Sequence, residues 1–213
     1  MKALVLSDVV REVFYAEDPH RTVGEIDIIL SCGDLPYEYL EYVLTMLNAP
    51  LLYVYGNHDR TVYAEGGAVK EGPEGGVGID GRVVTIRTRR GDILRVAGLG
   101  GSRRYNAGSH QYSEAEMRAR IRRMSPRLFW NLWRQGRGAD LVISHAAPWG
   151  IHDNADPCHR GFRAYVKLID RFRPRVWLHG HVHPEYQTDL AVRRRGDTEV
   201  RSVYGYSVVE VNP

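Results

Sequence analysis

Lysine and cysteine are both scarce in this chain of 213 residues. The only lysines are Lys2, Lys70 and Lys167, so arginine carries nearly all of the positive charge. The formal net charge is only +3, which by itself does not indicate binding to nucleic acid. The two cysteines, Cys32 and Cys158, are far apart and form no CxxC pair. We therefore predict no disulfide framework, and a reducing cytoplasm suits the chain.

The sequence also has no long apolar segment. No run approaches the roughly 18 residues that a membrane span needs. The N-terminus leads directly into a strand-like segment, without the charged and apolar regions of a signal peptide. We therefore expect a cytoplasmic protein that makes no membrane contact. The length suits a single domain over residues 1–213, whose core needs no structural metal, so a bound metal would be catalytic.

Short apolar segments alternate along the chain with segments of helical periodicity. Strand-like runs cover residues 2–6, 26–31, 51–55, 141–144 and 176–178. Helix-like spacing covers residues 37–47, 113–133 and 162–172. This alternation predicts an α/β fold in which helices cover the sheet.

The middle of the chain has a different pattern. Residues 66–81 are rich in glycine and are predicted to form a loop, and residues 83–99 are predicted to form a β-hairpin. Ser113, with a glutamate three residues later, is a capping-box pattern that predicts the start of a long helix. Trp130 and Trp133 lie three residues apart on that helix, a spacing that favours core packing over a surface for stacking bases.

Side chains that can bind metals recur at or just past the ends of the apolar strands. They are Asp8, Asp34, Asn57, His58, His145, His181 and His183. Carboxylate, amide oxygen and imidazole donors together suit manganese, iron, zinc or a similar first-row cation. A lone aspartate after a strand is usually a turn or helix cap. In open α/β sheets, however, ligands bind outside the carboxyl ends of the strands, so the repeated placement predicts a metal site there.

Four short motifs are spread over most of the chain. They are Gly33-Asp34, the GNHD segment at residues 56–59, the strand-end His145, and the GHVH segment at residues 180–183. Their combination resembles the calcineurin-like metallophosphoesterase superfamily. The resemblance implies a four-layer αββα sandwich of two mixed β-sheets, with a dinuclear metal site at the carboxyl ends of the strands.

The same resemblance implies how two metal ions are held. Asp34 would bridge both cations. Asn57, His145 and His181 would complete one site. Asp8 and His183 would belong to the other.

The resemblance also implies a mechanism. Two cations about 3.5–4 Å apart hold the phosphate group and acidify a water, and the metal-bound hydroxide attacks phosphorus. His58 would act as the general acid towards the leaving oxygen. Asp59 would orient and charge His58, as a carboxylate commonly orients an imidazole. The alternative for Asp59 is a simple helix cap.

The first motif departs from the commonest family pattern, Asp-x-His. Val10 stands in the position of the metal-binding histidine, and valine cannot bind a metal. Tyr37 is one candidate replacement, because the second motif reads GDxxY as in the purple acid phosphatases, whose tyrosine binds iron. Such a ligand would favour Fe(III); alternatively, Tyr37 packs on the core or stacks on substrate. His20 is a second candidate, and the third possibility is a weak or empty site.

Several residues are predicted to contact substrate. Asn57 and His58, in the GNHD segment, would touch the phosphate group. His159 and Arg160 lie in the loop before the GHVH segment, which this fold would place near the metals, although Arg160 could simply begin the next helix. Arg103 follows a glycine-rich strand end and could hold an anion, although a plain turn is the simpler interpretation.

These features together predict metal-dependent hydrolysis of a phosphate ester on a small molecule. A phosphodiesterase is favoured over a phosphomonoesterase, because the chain is compact, lacks an obvious cap domain and resembles a family with small phosphodiesterases. A nuclease is one alternative, which the low net charge opposes. A scaffold module that has lost catalysis, like the retromer subunit with this fold, is another. Val10 favours the scaffold, whereas His58 and Asp59 oppose it.

Overall fold

The structure is a computed structural model and describes residues 1–16, 18–59, 62–63, 67, 69–88, 91–183 and 192–211. The strands are β1 (Lys2–Ser7), β2 (Ile28–Ser31), β3 (Leu51–Tyr53), β4 (Val62–Tyr63), β5 (Val69–Lys70), β6 (Gly76–Gly78), β7 (Val83–Arg87), β8 (Ile93–Leu99), β9 (Ser102–Arg103), β10 (Gln111–Tyr112), β11 (Leu141–Ser144), β12 (Val176–His179), β13 (Arg193–Arg195), β14 (Thr198–Ser202) and β15 (Gly205–Glu210). The helices are α1 (Val13–Ala16), α2 (Pro19–Val23), α3 (Tyr37–Leu47), α4 (Glu114–Gln135) and α5 (Arg163–Phe172).

Two large mixed sheets form the centre of the fold. The first has five strands in the order β15-β1-β2-β3-β6, with β15 antiparallel to β1 and the other neighbours parallel. The second has six strands in the order β13-β14-β12-β11-β8-β7, parallel in the centre and antiparallel at both edges. Because parallel neighbours run in the same direction, the loops that follow the central strands of each sheet emerge at one edge.

Strand β1 shows why its sequence is apolar without interruption. Ala3 and Val5 point into the layer between the two sheets, whereas Leu4 and Leu6 pack against helices α1, α2 and α3. Successive side chains of a strand point to opposite faces. A strand that is covered on both faces therefore needs apolar residues at every position.

The second sheet is covered in the same way. Leu141 and Ile143 of β11 face the first sheet. Val142, together with Trp177 of β12, packs against helices α4 and α5. The layers are thus helices, sheet, sheet and helices, which confirms the predicted αββα sandwich. The predicted hairpin is also confirmed, since β7 pairs antiparallel with β8.

Helix α4 begins at the predicted capping box. The Ser113 hydroxyl accepts a hydrogen bond from the Glu116 backbone amide at 3.3 Å, and the Glu116 carboxylate accepts one from the Ser113 amide at 2.7 Å. Two amides at the helix start that lack partners within the helix are thereby satisfied. The helix ends at Gly136, which takes the left-handed conformation.

The prediction of a loop over residues 66–81 is wrong for part of that range. Residues 66 and 68 lie outside the described residues, but β5 and β6 fall within the rest. Strand β6 adds to the edge of the first sheet beside β3, where a Cβ on Gly78 would press on the Tyr53 hydroxyl. Two of the three residues of β6 are glycines, which have low strand propensity. The strand is therefore recognised only by its pairing with β3 in the folded chain.

The prediction that Trp130 and Trp133 pack in the core is also wrong. Their exposed fractions are 54% and 76%, because α4 turns its stripe of Met117, Met124 and Leu128 to the second sheet instead. Helical spacing identifies a stripe on the helix but does not tell which stripe is buried. None of the helices within the described ranges is long and apolar enough to cross a membrane.

Replacing Ser113 by alanine is expected to lower the free energy of unfolding by about 1 kcal/mol, because the Glu116 amide loses its acceptor. Equilibrium urea denaturation followed by circular dichroism measures the change. Ser125→Ala on the same helix is the matched control, since within the described part of the chain its hydroxyl bonds only the Ile121 carbonyl. Its expected change is below about 0.5 kcal/mol. Equal losses in the two variants would contradict a role for the cap.

Candidate metal centre

Three side chains from two different sheets meet at the edge where the strands end. Asp8 follows β1, Asp34 follows β2 after two residues, and His145 follows β11 directly. Their ligand atoms all lie within 4.8 Å of one another. Asp8 and Asp34 come from the first sheet and His145 from the second. The cluster therefore joins the two halves of the sandwich.

The backbone at this cluster is strained. Asp8, Asp34 and His181 have φ angles of 65°, 58° and 68°, in the left-handed region that most side chains avoid. Such conformations cost about 1–3 kcal/mol each and persist where the surrounding structure fixes them. Two of these residues, Asp8 and Asp34, place their carboxylates within 4.8 Å of each other and of His145, and the backbone amide of the third, His181, donates to Asp8.

His145 is fully buried and held by a main-chain carbonyl. Its Nδ1 donates a hydrogen bond to the Cys32 carbonyl oxygen at 2.8 Å. Its Nε2 then faces two oxygens, Asn57 Oδ1 at 3.0 Å and Asp34 Oδ2 at 3.2 Å. A proton fixed on Nδ1 leaves a lone pair on Nε2 of the neutral ring. Three electron-pair donors therefore converge, an arrangement that a proton or a metal cation stabilises.

Asn57 is oriented by a residue from another loop. Its amide nitrogen donates to the Tyr105 hydroxyl at 3.1 Å, which directs Oδ1 to His145. An asparagine binds metals through this oxygen, so Tyr105 fixes the orientation that a ligand needs.

His181 is held from both ends. Its backbone amide donates to both carboxylate oxygens of Asp8, at 3.1 and 3.0 Å. Its Nε2 donates to the Cys158 carbonyl oxygen at 2.9 Å, so Nδ1 is the nitrogen that remains for a cation. The ring lies 4.7 Å from the ring of His145, centroid to centroid.

The remaining predicted ligand, His183, borders Asp8. Its Nε2 lies 3.7 Å from Asp8 Oδ1, and its ring packs against Tyr204 at 4.7 Å. The close approach of the GHVH turn to Asp8 needs glycine at position 180. A Cβ there would collide with Ser7 Oγ and with Asp8 Oδ2.

The charges in the cluster depend on one another. Burial opposes ionisation of Asp34, but His145 outweighs it and holds the pKa of Asp34 below its usual value. Burial likewise opposes ionisation of Asp8, but His183 and His145 lower the pKa of Asp8. Burial opposes a charge on His145 too, yet Asp34 and Asp8 raise the pKa of His145 to about 9. The cluster thus favours added positive charge.

His181 behaves differently from His145. Burial first, and then the neighbouring His145, lower the pKa of His181 to about 3. A histidine must be neutral to bind a metal, and His181 meets that condition at neutral pH.

His58 lies at the mouth of a cleft of about 300 Å3, which also contains Asp34, Tyr37 and Asp59 in its wall. The His58 side chain is exposed, and its backbone amide donates to Asp34 Oδ1 at 2.8 Å. This bond fixes the main chain of the GNHD segment against the central carboxylate. An imidazole that is exposed and anchored in this way is accessible to solvent and to a molecule bound in the cleft.

Asp59 holds the main chain of this turn. Its Oδ2 accepts hydrogen bonds from the Gly56 amide at 2.6 Å and from the Asp34 amide at 3.4 Å. Burial is the main reason that the pKa of Asp59 rises to about 6; the Gly56 bond opposes the rise, and the charge of Asp34 adds to it. The structure thus assigns this carboxylate contacts with backbone amides, and the predicted orientation of the His58 ring by Asp59 stays a prediction.

The position of the missing histidine is now defined. Val10 is half-buried and packs with the apolar cluster under helices α1 to α3. His20 lies in α2, where its Nδ1 is 3.8 Å from Glu25 Oε1. Tyr37 is the first residue of α3 and borders the cleft beside Asp34. Of the two candidates to replace the histidine, Tyr37 is the one that lines the same cleft as Asp34, a predicted ligand.

Tyr37 is a neutral phenol in this setting. Burial, the charge of Asp59 and the neighbouring Tyr55 raise the pKa of Tyr37 to about 12. A phenolate at this position therefore needs a cation to stabilise it, as a trivalent iron would.

Of the other predicted substrate contacts, His159 and Arg160 lie on the loop that borders His181, whereas Arg103 is the last residue of β9. The ring of His159 lies 5.1 Å from that of His181, and its Nδ1 contacts both Asp156 oxygens at 3.0 Å. Arg160 donates to the Ala155 carbonyl at 2.8 Å. Arg103 pairs with Glu114 at 2.8 Å. Each arginine keeps further N–H groups for a ligand, since a guanidinium has five.

Sequence reasoning did not identify the groups that orient the ligands. Tyr105 follows the glycine-rich segment after β8. In this segment, the sequence predicted a functional contact for Arg103 and not for Tyr105. The carbonyl groups of Cys32 and Cys158 bond two of the imidazoles, and a main-chain oxygen has no sequence signature. Only the fold brings these groups to the histidines.

The donor set fits a divalent or trivalent cation. It combines carboxylate oxygens, an amide oxygen and imidazole nitrogens, which suit first-row metals. Each of two histidines bonds a carbonyl through one nitrogen, which leaves the other available. Asp34, Asn57, His145 and His181 could hold one ion, and Asp8, Asp34 and His183 could hold part of a second.

Comparisons with solved structures agree with the fold. One crystal structure has a TM-score of 0.61 at 14% identity, covering 94% of this chain and 89% of the other. The crystal structure of TT1561 of Thermus thermophilus has a TM-score of 0.54 at 15% identity, covering 94% of this chain and 88% of the other. A Vps29 single mutant from Entamoeba histolytica has a TM-score of 0.45 at 13% identity, covering 100% of this chain and 87% of the other. This TM-score is too low to support an argument. At these identities, the first two likenesses show a shared fold and nothing more about function.

The comparison with models of protein families identifies a family, whereas the comparisons with solved structures show only the fold. No curated protein sequence matches the chain. The model described as calcineurin-like phosphoesterase matches residues 1–185, a range that contains all of the predicted ligands. The chain therefore belongs to the calcineurin-like phosphoesterase family.

Proposed function

We propose that the chain hydrolyses small-molecule phosphate esters, and diesters in preference to monoesters, at a centre of two metal ions. The family acts on phosphate esters with the help of divalent metals. The observation that carries the proposal is the convergence of His145 Nε2, Asn57 Oδ1 and Asp34 Oδ2. Three buried electron-pair donors that face one another need a positive charge between them, and a metal ion can supply it in place of the proton on His145, so their arrangement supports a role as ligands.

The preference for diesters follows from the charges around the cleft. Its wall contains Asp34, Glu38 and Asp59, together with His58 and Tyr37. A monoester carries up to two negative charges near neutral pH, whereas a diester carries one. Glu38 and Asp59, which would hold no metal ion, disfavour the more highly charged ester, and this favours the diester as substrate.

The protein residues have distinct tasks in this proposal. Asp34 lies between the two groups of ligands, so it would bridge the ions. His145, Asn57 and His181 would hold one ion, and Asp8 with His183 would hold the other. When bound, the ions would supply Lewis acidity towards the phosphoryl group and towards the attacking water.

His58 would protonate the leaving oxygen. Its imidazole is exposed at the mouth of the cleft, and its main chain is bonded to Asp34. A proton donor in this position stabilises the charge that develops as the ester bond breaks. Asp59 would act on His58 through the backbone, because its carboxylate holds the amides of Gly56 and Asp34 in place.

Tyr37 would contribute to the site that lacks the histidine. It borders the same cleft as Asp34 and is the first residue of α3, which supports a contact between its hydroxyl group and an ion held by Asp34. A phenolate there would make Fe(III) a suitable ion for that site, alongside manganese, iron or zinc in the other.

Substituting His58 by alanine should leave the metal content unchanged and lower kcat by about 100-fold or more, because the general acid is lost. Elemental analysis and hydrolysis of bis(4-nitrophenyl) phosphate measure the two quantities. His20→Ala is the matched control, since that histidine lies in α2 beside Glu25. Full activity in His58→Ala would overturn the assigned role. A filled site that hydrolyses no ester in the unmodified protein would instead favour a scaffold.

If Tyr37 binds iron, protein purified with Fe(III) is expected to be coloured by a tyrosinate charge-transfer band, and Tyr37→Phe is expected to abolish the band. Visible absorption spectroscopy on samples of known iron content tests this expectation. Tyr42→Phe, on the same helix, is the control that should keep the colour. A coloured Tyr37→Phe protein with full iron content would show that another residue is the ligand.

A further inference from the structure

A second cavity lies beside the metal centre and is lined by three arginines. It has a volume of about 520 Å3, and Arg103, Arg160, Arg163 and Trp149 contribute to its wall. Its walls come from Arg103 at the end of β9, from the loop that follows β11 and from the start of α5. The loop after β11 begins at His145, which places this wall of the cavity at the same edge as the candidate ligands.

One loop separates this cavity from the ligands. On one side, the Cys158 carbonyl accepts from His181, and the ring of His159 packs against that of His181 at 5.1 Å. On the other side, the next residue, Arg160, lines the cavity. Arg160 is two residues from Cys158, a stretch of at most about 7 Å of chain, so the cavity wall lies within the length of a nucleotide from a group that bonds a candidate ligand.

The cavity has an excess of positive charge. Arg103 is paired with Glu114 at 2.8 Å, and the same carboxylate accepts bonds from the Arg163 and Ala164 amides at the start of α5. Among the residues that the structure describes, neither Arg160 nor Arg163 has a carboxylate partner within 4.0 Å. Two guanidinium groups therefore keep their charge available for an anion.

Asp153, the acidic residue in the cavity wall, already accepts hydrogen bonds from backbone amides. Asp153 accepts from the Gly150 amide at 2.8 Å and from the Gly161 amide at 3.0 Å. These bonds hold the loop between Trp149 and Arg160 in a defined shape. The cavity is thus formed before a ligand arrives, which reduces the entropy that binding costs.

Trp149 provides a flat apolar surface in the same wall. Its exposed fraction is 45%, although it is a large aromatic residue. The Arg163 guanidinium lies 4.4 Å from the centre of its ring. The guanidinium lies over one face of the indole, so a planar group would stack on the opposite face, and Arg163 would bind an anion attached to such a group.

We propose that this cavity is a second substrate subsite, which binds an anionic group attached to a planar ring, so that the preferred esters are of nucleotide type. This inference rests on the proposed function, because the ester bond to be cleaved would lie at the metal centre. The ring stacks on Trp149, and the second anion binds Arg160 and Arg163. The volume suits a single nucleotide, since ligand cavities are about 300–1,000 Å3.

Two diesters that differ by one phosphate test the subsite on the metal-loaded, full-length protein. They are the 4-nitrophenyl ester of thymidine 5′-phosphate and the same ester with an added 3′-phosphate. The second ester is expected to have a kcat/KM about tenfold higher, through a lower KM, because its extra phosphate binds two arginines. In the double variant Arg160→Ala/Arg163→Ala, the ratio of the two kcat/KM values is expected to fall to near one. Arg122→Ala, an exposed arginine of α4 outside this cavity, should keep the tenfold ratio.

Trp149→Ala tests the stacking surface. It should lower kcat/KM for both thymidine esters relative to bis(4-nitrophenyl) phosphate, which has no nucleoside. A ratio near one in the unmodified protein, or a tenfold ratio that survives in the double arginine variant, would overturn the subsite while leaving ester hydrolysis intact.

Binding separates failure of the subsite from failure of the proposed function. If no diester is hydrolysed with any metal, the proposed function fails. Calorimetric titration with thymidine 3′,5′-bisphosphate then tests whether the subsite exists. Binding that weakens about fivefold or more in the double arginine variant, but not in Arg122→Ala, supports the subsite. Equal binding to all three proteins contradicts it.

Discussion

The buried contact of His145 with Asp34 and Asn57 is the interaction on which the rest of the site depends. It crosses from the second sheet to the first, because His145 follows β11 whereas Asp34 and Asn57 follow β2 and β3. The Cys32 carbonyl fixes the imidazole by its other nitrogen. The two sheets must therefore keep their relative position to within a few tenths of an ångström for these three donors to meet.

This arrangement lowers stability, and the fold must offset that cost. Asp8, Asp34 and His181 hold left-handed backbone conformations, at about 1–3 kcal/mol each. Two carboxylates are also brought together with little solvent. A whole domain has a net stability of only about 5–15 kcal/mol, so this strain is a large fraction of the total. The three apolar layers of the sandwich supply the compensation, and a bound cation would relieve the repulsion.

Much of this architecture could be predicted from the sequence. Uninterrupted apolar strands indicate sheets that are covered on both faces. The residues that follow these strands, Asp8, Asp34 and His145, mark the edge of the sheets at which the site lies. What the sequence could not show was decided by tertiary contacts. The Tyr105 hydroxyl and the Cys158 carbonyl reach the ligands only in the folded chain. Helical spacing did not reveal that Trp133 faces solvent, because it does not tell which stripe of α4 meets the sheet. The replacement of Val10 is likewise a question of geometry, and Tyr37 is the candidate that lies in the cleft.

The metal stoichiometry of the protein and of Asp34→Asn tests the central claim most directly. Asp34 is the carboxylate that both groups of proposed ligands would share, and an amide removes its charge while keeping its shape. Inductively coupled plasma mass spectrometry of folded, dialysed samples should find two ions in each unmodified chain and at most one in Asp34→Asn. Identical stoichiometry in the two proteins, with the fold confirmed by circular dichroism, would contradict the account of a shared dinuclear centre.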